Sequence, residues 1–369
     1  VRKRNVPLAS FVWDDGWDDP QTLWRPLRAN FPRGFEPILE RARSYESWLG
    51  FWLSPFGGYG QAAQDRLAMG KAQGFEIGPR GFILAGTNYY ARFFETCVRF
   101  IREAGANFFK FDGLARDVQE TEAMLRLIRS LREVRPDLFV SITTGTWPSP
   151  FWLWWGDSTW RGGDDMGYHG QGSRREQWIT YRDMETYRRV VCRAPLYPLN
   201  SLMTQGFALA RHGSAADVGV DHTEVRHDLR SFFASGTCLQ ELYVTPSRMT
   251  KQHWDDLAEC AAWALSRTDV LVDAHWVGGD PGTGEVYGWA SWSPERAVLA
   301  LRNPTPFSNS ITLDLAVAFE LPRGAAAYYR LRSPWWDDKD RLPLRVRAGK
   351  PYRFELQPFE VVVYDVTPE

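Results

Sequence analysis

The stretch Asn107-Phe-Phe-Lys-Phe-Asp-Gly113 narrows the choice of fold more than any other part of this chain. Before it, residues 89–104 carry apolar side chains at helical spacing (Tyr90, Phe93, Phe94, Cys97, Val98, Ile101), and Gly105 is a natural helix stop. A short apolar run follows, as expected of a parallel strand covered on both faces. Yet Lys110 and Asp112 stand near its end. Two residues apart, they face the same side of a strand. In a closed parallel barrel, chemistry gathers at the C-terminal strand ends. Taken alone, a Lys-x-Asp pair is more simply a buried ion pair that fixes a strand end; the other carboxylates in the chain shift that balance.

The same alternation recurs from the N-terminus onward. Strand patterns end near Asp14, Leu53, Asp112, Ile142, Trp160, Met203 and Tyr243, and helical patterns lie between them, most clearly over 35–47, 61–74, 116–134, 177–193, 226–234 and 250–266. Strands alternating with helices predict an α/β fold, a (β/α)8 barrel of the TIM type. Seven strands are legible, so the expected first strand would lie upstream of Val1. After Glu285 the pattern changes to short alternating runs separated by Pro and Gly, which predicts a C-terminal antiparallel β-sandwich. The expected division is a catalytic barrel over 1–284 and a sandwich over 285–369.

Composition sharpens this little, except in its aromatics. Lys plus Arg number 44 and Asp plus Glu 45, a balance that argues against nucleic-acid or anionic-membrane partners held by bulk charge. No apolar run reaches membrane-spanning length. The four cysteines (Cys97, Cys192, Cys238, Cys260) form no CxxC or Cys/His cluster, so no metal site is predicted, and they do not reveal the compartment. The 18 Trp, 14 Tyr and 22 Phe raise the prior for sugar binding, because flat aromatic faces stack on sugar rings, although large cores use them too.

Other strand ends also carry acids. Trp13-Asp14-Asp15-Gly16-Trp17 closes the first strand, and adjacent acids among tryptophans are costly unless something uses them. Trp160-Arg161-Gly-Gly-Asp164-Asp165 closes a later one. These two motifs, with Gly50-Phe-Trp52, Lys110-Phe-Asp112-Gly113 and Thr144-Gly-Thr-Trp147-Pro148, stand in the order seen in α-galactosidases. The chain resembles the clan of glycoside hydrolase families 27 and 36, with family 36 closer. The motifs cover residues 8–165; beyond them only the layout matches. The sequence departs at Leu53-Ser54-Pro55, where family 36 usually has a glutamate, and the 143–150 loop lacks the usual cysteine.

The resemblance implies roles. Asp112 looks like the catalytic nucleophile, and Lys110 like a substrate-hydroxyl ligand that also keeps Asp112 ionised. Asp14 and Asp15 look like acceptors for the 4- and 6-hydroxyls of a galactose-type sugar, and Trp52 like a wall of the pocket. Trp147 lies in the loop expected to meet the 2-position, where it bears on galactose versus N-acetylgalactosamine. Arg161 is similar to an arginine that contacts the 2-position and the acid/base. Asp165 then looks like the acid/base, with Asp164 beside it as the alternative. Retaining hydrolysis needs two carboxyl groups about 5–5.5 Å apart. One attacks the anomeric carbon; the other gives, then takes, a proton.

The expected partner is an oligosaccharide or glycoconjugate. No cofactor is expected, and a homo-oligomer is left open. Rival readings are an α-N-acetylgalactosaminidase, a transglycosylase or sugar synthase, and a non-catalytic carbohydrate-binding barrel. Weaker candidates outside the motifs are His169 and Glu241 near the site, an Asp273/His275/Asp280 cluster, and Trp335-Trp336 as a sugar platform. The plainer accounts of the last two are an Asp-His hydrogen bond tying the barrel's end to the sandwich, and interface core.

Overall fold

A computed structural model describes residues 2–113, 115, 117–143, 149–193, 198–213 and 218–369. The chain divides into two compact units, one of residues 8–160 and one of residues 1–7 with 161–369.

The first unit is built on five parallel strands in sequence order: β1 (Ser10–Trp13), β2 (Trp48–Leu53), β3 (Ala106–Phe111), β4 (Phe139–Ile142) and β5 (Ser158–Trp160). Helices α1 (Glu36–Arg43), α2 (Gly60–Ala72), α3 (Thr87–Glu103) and α4 (Val118–Val134) alternate with them. The apolar stripe expected on α3 is buried through Phe93, Cys97 and Phe100, and that of α4 through Met124, Leu127, Ile128 and Leu131. They enclose one core with Leu49, Phe51, Phe109, Phe111, Val140 and Ile142 from the strands. A buried Leu or Phe contributes roughly 1.5–3 kcal/mol, so this core holds the strand ends firmly in register. β1 is the edge strand, with Phe11 and Val12 half-exposed.

The second unit contains short strands at Leu202–Met203 (β6), Phe207–Leu209 (β7) and Leu242–Val244 (β8), the last two paired in parallel. Phe207–Leu209 is absent from the sequence reading. Only three residues part it from β6. The two segments belong to different sheets, and the chain turns between them at Gln205 and Gly206, whose φ angles are 71° and 39°. A Cβ on Gly206 would lie 2.2 Å from the Glu241 carbonyl oxygen, so the turn requires glycine. Helices α5 (Arg174–Arg189), α6 (His222–Ala234) and α7 (Lys251–Leu265) belong to this unit.

The chain then forms a six-stranded antiparallel sheet of, in spatial order, His275–Gly278, Tyr287–Trp292, Ala297–Arg302, Val361–Pro368, Tyr328–Arg332 and Leu344–Arg347. A second, two-stranded sheet (Asn309–Leu313 with Tyr352–Leu356) shares its core through Ile311, Leu313, Phe354 and Leu356. The first strand of this module lies upstream of the residue-285 boundary read from the sequence. No helix among the described residues is long and apolar enough to cross a membrane.

Candidate active site

Strand register assembles the first half of the site. Trp13 is level with Phe51, and Phe51 with Phe109; Trp52 is level with Lys110. Asp14, one residue past Trp13, therefore reaches the level of Trp52 and Lys110. The Lys110 ammonium donates to Asp14 Oδ2 at 2.9 Å. Asp15 pairs with the buried Arg66 guanidinium at 3.4 Å. Each of the two adjacent acids thus has its own cation, which offsets the repulsion that makes neighbouring carboxylates costly.

Asp112 lies one residue beyond β3, and its backbone N–H is anchored to the Leu53 carbonyl at 3.0 Å. Three donors hold its carboxylate. The Trp52 indole N–H reaches Oδ2 at 3.0 Å, the Tyr59 hydroxyl reaches Oδ1 at 2.9 Å, and the Gly113 N–H reaches Oδ1 at 2.8 Å. Trp52, read from the sequence as a pocket wall, is 1% exposed; what it presents to Asp112 is the indole N–H. Its own position is held by the Trp17 indole, which donates to the Trp52 carbonyl at 2.9 Å.

Tyr59 and Arg66 are the residues that sequence reasoning missed here. Tyr59 sits in Phe56-Gly-Gly-Tyr-Gly60, a stretch with no periodicity to expose a role. Arg66 lies on α2, fully buried, and grips Asp18 through both carboxylate oxygens at 3.1 and 2.6 Å. Burial raises the Asp18 carboxyl above its ordinary value even with that arginine beside it.

In the second unit, Arg161, Asp164 and Asp165 form a compact loop. Arg161 is 1% exposed. Its guanidinium donates to the carbonyls of Gly162, Asp164 (3.1 Å) and Asp165 (3.4 Å), and lies 5.7 Å from the Tyr181 ring. Burial brings its pKa down to about 10. The Tyr181 hydroxyl meets the Asp164 backbone N–H at 3.1 Å. The arginine therefore shapes the backbone of the loop, while both aspartate carboxylates face solvent. Trp147 lies outside the described residues.

The weaker candidates have structural partners. The His169 ring meets the Gly282 carbonyl at 3.0 Å. Glu241 accepts from the Tyr243 hydroxyl at 2.7 Å. His275 lies between Asp273 (3.2 Å) and Glu320 (3.4 Å), and Asp280 pairs with Arg188 at 2.7 Å. Among the described residues, no group of three or more His, Cys, Asp or Glu could hold a metal ion. Trp335 is buried against Trp263 and Arg230, as core packing predicts, whereas Trp336 is exposed.

No protein-family model matches the sequence, and a comparison with curated proteins finds no match. Solved structures do match. A family 36 α-galactosidase from Geobacillus stearothermophilus aligns with 98% of this chain and 51% of its own length, at 12% identity and a TM-score of 0.66. The Saccharomyces cerevisiae α-galactosidase, solved with raffinose, aligns with 98% of this chain and 89% of its own, at 10% identity and a TM-score of 0.63. A Bacillus halodurans protein assigned as an α-N-acetylgalactosaminidase gives 98% and 89%, at 13% identity and 0.61. The chain spans about half the length of the bacterial α-galactosidases it matches. In its fold the chain is α-galactosidase-like, sharing the architecture of glycoside hydrolase family 36 over nearly its whole length.

Proposed function

We propose that this chain carries the catalytic part of a retaining α-glycosidase acting on terminal α-linked galactose-type residues, built on a (β/α)8-type barrel. The observation that supports it most is the setting of Asp112: a carboxylate at a parallel strand end, held by Trp52, Tyr59 and the Gly113 N–H, in the same unit as Asp14 and Asp15. Asp14 and Asp15 accept hydrogen bonds from sugar hydroxyls, and Lys110 donates to a hydroxyl beside Asp14. Asp112 attacks the anomeric carbon as the glycosidic bond breaks, and Asp165 protonates the departing oxygen. Asp165 then removes a proton from water, which attacks the glycosyl ester and releases Asp112. Two inversions give net retention. Arg161 supports this role by fixing the loop that carries Asp165.

The test pairs nitrophenyl α-galactoside with nitrophenyl α-N-acetylgalactosaminide and follows the first-formed product anomer by NMR. Cleavage with an α-anomeric product is expected, reduced at least about a thousandfold in Asp112→Asn. The ratio of the two substrates identifies the sugar. Neither being cleaved by the folded protein, or a β-anomeric product, would refute the proposal. Transfer to an added acceptor sugar in preference to water would make it a transglycosylase.

A further inference from the structure

One side chain grips two of the loops that the proposed chemistry uses in residues 8–160. Arg66 makes hydrogen bonds in three directions. Nε and Nη2 hold Asp18, Nη2 also reaches Asp15 Oδ1 at 3.4 Å, and Nη1 donates to the Gly57 carbonyl at 2.9 Å. Its guanidinium lies 4.4 Å from the centre of the Trp24 ring and 5.7 Å from that of Trp52. Asp15 and Asp18 belong to the segment after β1; Gly57 belongs to the loop after β2, two residues before Tyr59. Tyr59 and Trp52 are two of the donors on Asp112.

The packing around this group leaves no slack. Arg66 is fully buried, and a Cβ on Gly58 would come within 2.6 Å of Nη1 and 3.1 Å of the Trp52 ring. The Gly57-Gly58 backbone therefore lies directly on the guanidinium. Arg66 thus touches both Asp15 and the loop that carries Tyr59.

We infer that Arg66 is a positioning residue of the active site, coupling sugar-hydroxyl recognition at Asp15 to the orientation of Asp112 through the Gly57–Tyr59 loop. The inference rests on the glycosidase reading above for its catalytic meaning, but the mechanical coupling stands by itself. A planar fork is needed. Lysine keeps the charge but cannot make the bidentate contact and the Gly57 bond together, nor stack in the same way.

The test uses Arg66→Lys, Tyr59→Phe and the double variant, with kinetics and hydrogen–deuterium exchange measured on each. Arg66→Lys should lower kcat/KM about 100-fold, with KM rising and kcat falling. Adding Tyr59→Phe to it should cost nothing further, because the Tyr59 contact is already lost. Peptides covering 13–19 and 56–60 should exchange faster together, while those covering 139–143 and 149–160 stay at the wild-type rate. If Arg66→Lys fails to fold, Asp18→Asn, which leaves the guanidinium and removes its anchor, is read in the same way. Additive kinetic losses, or loops that exchange as slowly as in the wild type, would overturn the inference. A wild type that cleaves no glycoside defeats the proposed function alone; the exchange data still decide the role of Arg66.

Discussion

At Asp112 the two carboxylate oxygens keep different company. Oδ1 takes both the Tyr59 hydroxyl and the Gly113 N–H, whereas Oδ2 takes the Trp52 indole. In the proposed mechanism this matters because a carboxylate held by preorganised donors needs little reorganisation when it attacks. The proposed acid/base would have a different task, and two neighbours compete for it. Asp164 and Asp165 follow the same two glycines, and Arg161 donates to both of their carbonyls. Asp165→Ala should slow cleavage of a raffinose-type galactoside by about 10²–10⁴-fold, yet slow the first chemical step little when the leaving group is dinitrophenolate. Azide should take the place of water in the second displacement, restore turnover and give an α-galactosyl azide. Asp164→Ala should show neither the leaving-group split nor the azide product; if it shows both and Asp165→Ala does not, the roles are exchanged. The Lys-x-Asp spacing and the Asp14-Asp15 pair are readable in the chain because each follows a strand pattern, and Asp164-Asp165 because of the Trp-Arg-Gly-Gly motif before it. Tyr59 is not, because its role comes from a loop conformation set by the glycines around it.

Among the elements, α5 departs most from what periodicity predicts. Its apolar pattern places a helix over 177–193, but it begins at Arg174, capped by the Ser173 hydroxyl, and many of its buried positions are charged. Arg175 and Arg182 both hold Asp228 of α6, at 2.6 and 2.7 Å, and Arg182 also holds Asp183 at 2.9 Å. Asp183 accepts from the Tyr287 hydroxyl, which in turn accepts from Arg302, and Arg302 pairs with Glu176 at 2.6 Å. This chain of charges ties α5 and α6 to the antiparallel sheet. A hydrophobic stripe marks a helix's buried face only when that face is apolar; here counterions on separate segments make burial of the charges tolerable. Removing one partner leaves the others buried and uncompensated. Asp228→Asn should therefore lower stability by about 3–5 kcal/mol, measured by urea unfolding. A loss below about 1 kcal/mol would mean that the carbonyls of Ala208 and Gly219, which also accept from Arg175, suffice.

On the scale of the whole molecule, the charges nearly cancel at neutral pH, and particular buried groups shape the response to mild acid. His227, on α6, is held down to about 4 by burial and by the positive charges of Arg230, Arg302 and Arg226. Unfolding returns it to the ordinary value of about 6.5. Between those values the unfolded chain binds a proton that the folded one refuses. The contribution of a neutral His227 is therefore complete above pH 6.5 and is lost as pH falls towards 4, by about 2–3 kcal/mol. Asp18, Glu120, Glu176 and Glu259 act in the opposite sense. Burial raises each of them, so the folded state binds their protons more readily, and they stabilise as pH falls through their raised values. A single stability curve mixes the two effects, but comparison with His227→Gln cancels the carboxyl groups, which both proteins share. Unfolding free energies from pH 7 to 4.5 should fall more steeply in the wild type than in His227→Gln, with the gap opening below pH 6.5. Parallel curves would show that His227 takes up its proton without unfolding and that the acid response arises elsewhere.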